Sequence, residues 1–220
     1  MAILDNLEVP PSLKEMAFRS IKLAIMSNKI EAGRLYTEQS FAKDVGISKT
    51  PVREALLDLA NKGFIEILPR RGFQVKRLTK KDIQDIYNVR IALETMVVRS
   101  ITSHMTPADF SHIETIRERE KKAIKSYDRD GYMAIDRELH FYLAGITRNT
   151  YLINYLENIR DLVDWMGFKA LGRPERMAEV EQEHERIISY LKKGEIKKAA
   201  CSMEEHICVT MQNVLQRIEL

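Results

Sequence analysis

The amino-acid sequence predicts a mainly α protein, in which an N-terminal winged helix-turn-helix with a small β-hairpin is followed by an all-α antiparallel six-helix bundle. Two observations lead to this fold class. Alternating apolar residues, typical of strands, are found just after Gly63, whereas apolar residues recur at helical spacing along most of the chain. Long helices with short connections pack as antiparallel bundles. We therefore predict two domains, at residues 1–78 and 79–220.

Three helices and a hairpin are predicted in the first domain. Apolar side chains recur three and four residues apart over residues 13–26. Thr37 precedes a short helix that ends near Gly46, and Ser48 begins a longer helix after this tight turn. The alternating segments that follow are FIEIL and FQVKRL, separated by the turn PRRG, which predicts a two-stranded hairpin.

Six helices are predicted in the second domain, where strand signals disappear. Their breaks coincide with Pro, Gly and Asn residues, for example at Thr106-Pro107 and Gly194. The predicted helices cover about 80–103, 107–127, 131–147, 150–167, 174–193 and 195–218.

The composition is that of a globular protein: 45% of the 220 residues are hydrophobic and 30% are charged. There is no uncharged apolar window of about 18 residues to span a bilayer. The first residues, MAILDNLEVPPS, lack the basic start and apolar run of a signal peptide, so we expect a cytoplasmic protein. Cys201 and Cys208 are about 10 Å apart along one predicted helix, so we expect free thiols, mostly in the core.

Net charge is distributed unevenly along the chain. The first 78 residues contain 13 Lys and Arg against 9 Asp and Glu, whereas the remainder contains 22 against 23. The positive excess is therefore N-terminal, which indicates where an anionic partner would bind.

The start of the third helix carries side chains suited to DNA. A recognition helix enters the major groove by its N-terminal turn, where side chains contact phosphates and base edges. Ser48 can cap the helix, and Lys49 and Thr50 can reach phosphate. Arg53 lies one turn later, where a guanidinium can bond to O6 and N7 of guanine.

The hairpin tip supplies a second group of candidate DNA contacts. Arg70 and Arg71 provide two cations, and Gly72 a flexible backbone, as in a wing along the minor groove. The alternative is that Arg53 pairs with acidic neighbours on a solvated face and that PRRG is a generic basic turn. The whole set in this order favours DNA binding.

The segment GISKTPVREALLDLANKGFIEILPRRGFQV, residues 46–75, resembles the signature of the GntR family of transcription regulators. The resemblance implies DNA contact by Ser48, Lys49, Thr50, Arg53, Arg70, Arg71 and Gly72. Lys49 stands where the family usually has arginine, and Gln39 where the fatty-acid-responsive member has a DNA-contacting arginine. Because lysine lacks the bidentate fork of arginine, we expect Lys49 to contact phosphate.

Three of the five histidines lie on the inward faces of separate predicted helices. His140 shares its face with Asp136, and His184 and His206 lie among apolar residues of the last two helices. Three imidazoles and one carboxylate are costly to bury together, and a divalent cation satisfies all four directly. The alternative for each histidine is a core residue hydrogen-bonded to a neighbour. Because three converge, we predict a metal site of Asp136, His140, His184 and His206.

The same four residues resemble the ligand set of the FadR C-terminal domain, or FCD domain. They provide D-x-x-x-H at Asp136 and His140, followed by His184 and His206. Six helices resemble the shorter, vanillate-repressor-like members of that family. The resemblance implies that the metal closes the floor of an effector pocket and helps to hold a small organic acid.

A ligand set of three histidines and one aspartate leaves one or two coordination positions for an effector carboxylate or water. Zn and Ni both suit this set, and Mn suits three imidazoles less well. Arg90 is our candidate for a second effector contact, with Glu94 as its tether; the alternative is a simple helix pair. Trp165, Tyr142 and Tyr155 are candidate pocket aromatics, although aromatics at helical spacing are usually core.

Together these features predict a DNA-binding transcription regulator, a repressor or activator, controlled by a small carboxylate effector. A homodimer would place two winged domains on a palindromic operator. One rival is a metal-dependent enzyme that activates water at the open metal position. The sequence offers no obvious general acid or base for it, so we expect no enzymatic activity. In a third hypothesis the metal itself is the signal.

Overall fold

The computed structural model describes residues 10–101, 105–170 and 174–217. The chain divides into two compact units between Arg77 and Leu78, one residue before the predicted boundary. The first unit combines helices with a small sheet, and the second consists of helices in its described residues, which confirms the predicted fold class. No helix in the described ranges is long and apolar enough to cross a membrane.

The N-terminal unit is built from three helices and three short strands. In chain order these are α1 (Leu13–Met26), β1 (Leu35–Tyr36), α2 (Glu38–Val45), α3 (Lys49–Asn61), β2 (Ile65–Leu68) and β3 (Gly72–Val75). Thr37 caps α2 by accepting a bond from the backbone N–H of Ser40 at 3.2 Å. Gly46 ends α2 in the left-handed conformation, φ 75°, which creates the turn into α3. The predicted helix-turn-helix is therefore present.

The sheet contains one strand more than predicted. β1 pairs antiparallel with β3, so the strand order is β1-β3-β2. Two residues are too short to show the alternation that predicts a strand, which is why this one was missed. Gly72 begins β3 with φ 125°, and a Cβ there would collide with the carbonyl oxygen of Tyr36. This glycine is thus fixed by the fold, contrary to the flexible backbone expected at the wing.

The second unit is a helical bundle whose helices lie close to the predicted ranges. They are α4 (Lys80–Ile101), α5 (Pro107–Ser126), α6 (Arg129–Ile146), α7 (Thr150–Ala170), α8 (Pro174–Lys192) and α9 (Ile196–Arg217). α6 starts two residues earlier than predicted because the Asp128 carboxylate accepts from the backbone N–H of Gly131 at 2.9 Å and caps the helix. The predicted ends at residues 102–103 and 218 lie outside the described residues.

Packing in the second unit brings the inward faces of its helices together. α4 packs against α6, α7 and α9, while α5 packs against α6 and α8.

Cys201 and Cys208 on α9 are free, as predicted, but Cys201 is exposed, so its assignment to the core was wrong. The spacing of apolar residues along α9 did not decide which side of the helix carries Cys201, and in the structure this residue lies on the exposed side.

Candidate metal centre and nucleic-acid interface

Four side chains from three helices form a buried cluster, here called the metal cluster: Asp136, His140, His184 and His206. One possible ligand atom from each lies within 4.8 Å of the other three. Oδ1 of Asp136 lies 3.7 Å from Nε2 of His140 and 3.6 Å from Nε2 of His184. A tetrahedral zinc ion with bonds of about 2.1 Å would separate ligand atoms by about 3.4 Å. The geometry of the cluster therefore fits a metal ion.

Each histidine of the metal cluster is oriented by a glutamate on another helix. The Nδ1 atoms contact the carboxylates, so that the Nε2 atoms point toward one another. The pairs are His140 with Glu94, His184 with Glu120 at 2.9 Å, and His206 with Glu183 at 2.6 Å. Nε2 of His184 and of His206 is buried without a hydrogen-bond partner among the described residues. Carboxylate–histidine pairs of this kind typically surround metal ligands, because they fix the tautomer and raise ligand basicity.

The aspartate of the metal cluster has a charged partner as well. Nη2 of Arg160 donates to Oδ2 of Asp136, while Nε of Arg160 donates to Oδ1 of Asp164 at 2.7 Å. Oδ2 is therefore occupied, and Oδ1 is the oxygen nearest to the histidines. All six helices of the bundle contribute a side chain to the metal cluster or to its partners.

The electrostatics of the metal cluster favour a cation at its centre. Burial lowers the pKa of His206 to about 3 and also lowers the pKa of His140, so both imidazoles are neutral and available as ligands. Burial also acts to lower the pKa of His184, but Glu120 and the other nearby carboxylates together outweigh it and raise that pKa above its usual value. Burial acts to raise the pKa of Asp136, but Arg160 and the neighbouring positive groups together outweigh it and hold the pKa well below its usual range. The carboxylates thus favour positive charge at His184, from a proton or a metal ion.

A cavity of about 40 Å³ lies beside the metal cluster. Asp136 and His206 reach it from the cluster. The remaining walls contain three arginines, two tyrosines and several apolar or small residues: Arg90, Arg160, Arg176, Tyr87, Tyr132, Met133, Val163, Gly167, Val180 and Thr210. The predicted pocket aromatics were wrong for this cavity, since Trp165, Tyr142 and Tyr155 are not among its walls. The Tyr142 hydroxyl donates to Asp109, and Tyr155 is exposed.

Arg90 forms the predicted helix pair with Glu94 and also lines the cavity. Its Nε donates to Oε1 of Glu94 at 2.6 Å, which is the helix pair of the simpler hypothesis. Its guanidinium also lines the cavity, with Nη2 3.3 Å from Nε2 of His140. Arg90 is 2% exposed, so its guanidinium faces the interior of the bundle rather than solvent.

Sequence reasoning missed the partners of the metal cluster, namely Glu120, Glu183, Arg160 and Arg176. Arg176 donates to both carboxylate oxygens of Glu183, at 2.6 and 3.1 Å, so one glutamate holds a cavity arginine and a histidine of the cluster. A signal for Glu120 was present. It is a charged residue on the buried face of α5, three positions before Ala123 and four after Ile116. A charge on an apolar face requires a buried partner.

The residues predicted to contact DNA are here called the nucleic-acid face: Ser48, Lys49, Thr50, Arg53, Arg70, Arg71 and Gly72. Those at the start of α3 are exposed. Ser48 occupies the N-cap position, but its side chain makes no capping hydrogen bond, contrary to expectation. Nζ of Lys49 donates to Gln39 at 3.1 Å, and Nε of Arg53 lies 3.9 Å from Glu38. Arg53 thus faces an acid on α2 rather than one of its own helix.

Arg70 and Arg71 lie at the exposed turn between β2 and β3. Arg70 has a left-handed backbone, φ 63°, and the backbone N–H of Arg71 donates to the carbonyl of Leu68 at 3.0 Å. The conformation of the turn is therefore set by backbone geometry and a backbone hydrogen bond, and both arginine side chains are exposed on it.

A winged helix-turn-helix unit followed in the same chain by a helical unit is typical of one class of proteins, the DNA-binding transcription regulators. Comparison with known proteins identifies the family. Residues 13–75 match the bacterial regulatory proteins of the gntR family, and residues 85–208 match the FCD domain. The chain belongs to the GntR family and carries an FCD domain.

Individual relatives agree with this assignment. The chain is 27% identical to the HTH-type transcriptional regulator YdhC of Bacillus subtilis, over 96% of both chains. It is 30% identical to the gluconate operon transcriptional repressor of Bacillus subtilis, over 76% of this chain and 68% of that one. The structure of Escherichia coli McbR/YncC shares the fold, with a TM-score of 0.78 at 20% identity, over 96% of this chain and 100% of that one. The family and these relatives are transcription regulators, so the chain is a regulator and not an enzyme.

Proposed function

We propose that this GntR-family regulator binds a divalent metal ion at the metal cluster, and that a small carboxylate effector beside the ion controls its affinity for operator DNA. Nε2 of His140, His184 and His206 and Oδ1 of Asp136 would hold the ion. The observation that carries the proposal is the occupation of each histidine Nδ1 by a buried or partly buried glutamate, which leaves all three Nε2 atoms directed to one centre.

Hydrogen bonding alone explains the metal cluster less well. If the histidines were ordinary core residues, two buried Nε2 atoms would remain without partners, at a cost of about 1–3 kcal/mol each. An ion would satisfy both at once and supply a Lewis acid for an anionic effector. Zinc and nickel suit three imidazoles and one carboxylate best.

The nucleic-acid face is proposed to bind the operator. Ser48, Lys49 and Thr50 would contact phosphates, and Arg53 would bond to guanine in the major groove. The wing residues Arg70, Arg71 and Gly72 would follow the minor groove. Exposure of these side chains supports the assignment, and the N-terminal excess of positive charge agrees with it.

Regulation is proposed to act through a homodimer on a palindromic operator, because one winged domain buries too little surface for genomic specificity. Gluconate is a carboxylate, and one relative is named as the repressor of a gluconate operon, which supports an acid effector and repression here. A typical coupling of about 1–3 kcal/mol would change operator affinity roughly 5- to 150-fold.

The proposal is tested by elemental analysis of the untagged protein beside His184→Ala and His112→Ala. His112 is an exposed histidine on α5 and serves as the matched control. We expect about one zinc or nickel ion per chain in the wild type and in His112→Ala, and none in His184→Ala. An absence of metal from the wild type after reconstitution would overturn the metal site but would leave the DNA-binding assignment intact.

A further inference from the structure

The metal cluster is buried, so an ion needs a route to it from solvent. The three histidines are at most 2% exposed. A metal site requires such an entry path as well as a set of ligands. Among the described walls of the cavity beside the cluster, Met133 and Thr210 are half-buried and the others are buried. Solvent therefore comes nearest to the cavity beside these two residues.

A groove of about 490 Å³ between α8 and α9, here called the α8–α9 groove, approaches the cavity beside Thr210. Glu179, Arg186 and Glu205 in its walls are exposed, so the groove is open to solvent. Arg176 lines both the groove and the cavity. The side chain of Arg176 therefore stands between the two spaces.

Four hydrogen bonds hold the Arg176 guanidinium in this position. Nη1 and Nη2 donate to the two carboxylate oxygens of Glu183, at 2.6 and 3.1 Å, and Nη1 also donates to Glu179 at 3.2 Å. Both glutamates lie on α8, the helix of Arg176 itself. The fourth bond crosses to α9, where Nη2 donates to the hydroxyl of Thr210 at 3.3 Å.

The bond to Thr210 is the weakest of the four. It is the longest, and its acceptor is a neutral hydroxyl, whereas the other acceptors are carboxylates. Loss of this bond would free Arg176 from α9 while the glutamates still hold it to α8. None of the four acceptors belongs to the metal cluster, so this movement leaves the ligand atoms in place.

Charge favours the α8–α9 groove over the approach beside Met133. The walls of the groove contain three glutamates and two arginines, so carboxylate oxygens are available to an ion that loses water. Met133 is accompanied in the cavity wall by Val163 and Gly167, which offer no charged group. A divalent cation is costly to carry past apolar side chains.

We infer that Arg176 is a gate. A divalent ion reaches the metal cluster through the α8–α9 groove and enters the cavity when the bond between Arg176 and Thr210 breaks. The inference rests on the proposed metal site and adds its route and the residue that closes it. Glu183 lies at the end of this route, because Oε2 of the same carboxylate contacts Nδ1 of His206 at 2.6 Å.

A gate has a kinetic signature that a ligand lacks. It changes the barrier for entry and for exit equally, so the association and dissociation rate constants change by the same factor. The dissociation constant, which is their ratio, stays the same. Loss of a residue that holds a metal ligand in place instead weakens binding at equilibrium.

The test is stopped-flow measurement of zinc exchange by the full chain and by Thr210→Val. Valine keeps the shape of the side chain but offers Arg176 no acceptor. Mixing of chelated protein with zinc gives the association rate constant. Mixing of zinc-loaded protein with increasing chelator, extrapolated to zero chelator, gives the dissociation rate constant. We expect both to rise roughly fivefold, the typical worth of one hydrogen bond.

Thr95→Val provides the matched control. Thr95 is a buried threonine on α4 whose hydroxyl donates to the carbonyl of Ile91 at 2.7 Å, and it lines neither the cavity nor the groove. Its substitution should leave both rate constants unchanged. The dissociation constant of zinc, measured by equilibrium competition with a chelator, should agree within about twofold among the wild type and both variants.

The outcomes separate the gate from the metal site. Wild-type rate constants in Thr210→Val would overturn the gate while leaving the metal site in place. A faster dissociation with unchanged association would also overturn it, because Thr210 would then support the ligands instead of closing a route. A wild type that binds no zinc would overturn both the gate and the metal site.

Discussion

The nucleic-acid face and the metal cluster are recognisable for opposite reasons. The α3 and wing side chains are exposed and make few contacts, such as the 3.9 Å approach of Arg53 to Glu38, a residue that is itself partly exposed. The side chains of the metal cluster are buried, and each is held by an oppositely charged or hydrogen-bonding partner on another helix. An exposed site is thus recognised by the order of its residues along the chain. A buried site is recognised by the partners that the fold places around its side chains.

The largest expected effect is on the stability of the buried site. At a zinc concentration 1,000 times its dissociation constant, binding should raise the free energy of unfolding by about 4 kcal/mol. Thermal melting of chelated and zinc-loaded protein measures this difference. His184→Ala should melt at the same temperature with and without zinc, and a wild type with no response to zinc would contradict a metal site.

A smaller but still large effect is expected at Gly72, the member of the nucleic-acid face that the fold itself constrains. Gly72→Ala would force a side chain into φ 125° and against the Tyr36 carbonyl, so we expect a loss of about 3 kcal/mol in unfolding free energy. Urea denaturation gives the value. Gly145→Ala, in open space on a helix, should instead stabilise the protein by up to about 1 kcal/mol. If both variants were equally stable, the structural role of Gly72 would be wrong.

The partners of the metal cluster provide the next test of the comparison. Glu120→Gln replaces the carboxylate that orients His184, and loss of such a partner typically weakens metal binding about 10- to 100-fold. Competition with a chelator of known affinity measures the change. Glu118→Gln, on the exposed face of the same helix, should have no effect. Equal weakening by the two variants would indicate general destabilisation instead.

The smallest effect is expected at the exposed site. Arg53→Ala should weaken operator binding by about 1.5 kcal/mol, roughly tenfold, while residual salt-dependent binding to other DNA remains. Fluorescence anisotropy with operator and scrambled duplexes measures both. Arg34→Ala removes an exposed arginine outside the nucleic-acid face and serves as the control. Unchanged discrimination between the two duplexes would refute base reading by Arg53.

The sequence was sufficient to predict the elements whose apolar residues recur at a regular spacing. Helical spacing predicted that the faces with His140, His184 and His206 would converge, and the structure brings these residues together with Asp136. The sequence was not sufficient to predict β1, because a strand of two residues is too short to show a regular spacing of apolar side chains. The partners Glu120 and Arg160 were missed for another reason. Which buried charges meet is decided by distances between helices far apart in the chain, and no fixed spacing encodes those distances.

The way in which α9 completes the cluster has a consequence for synthesis of the chain. Asp136 is made 70 residues before His206, which takes a ribosome roughly 4–14 s at usual elongation rates. His184 is made 48 residues after Asp136, so for most of that interval two of the three imidazoles are absent. The ligand set is therefore incomplete until α9 has been made, and capture of an ion by all four ligands can only be among the last events of the chain's maturation.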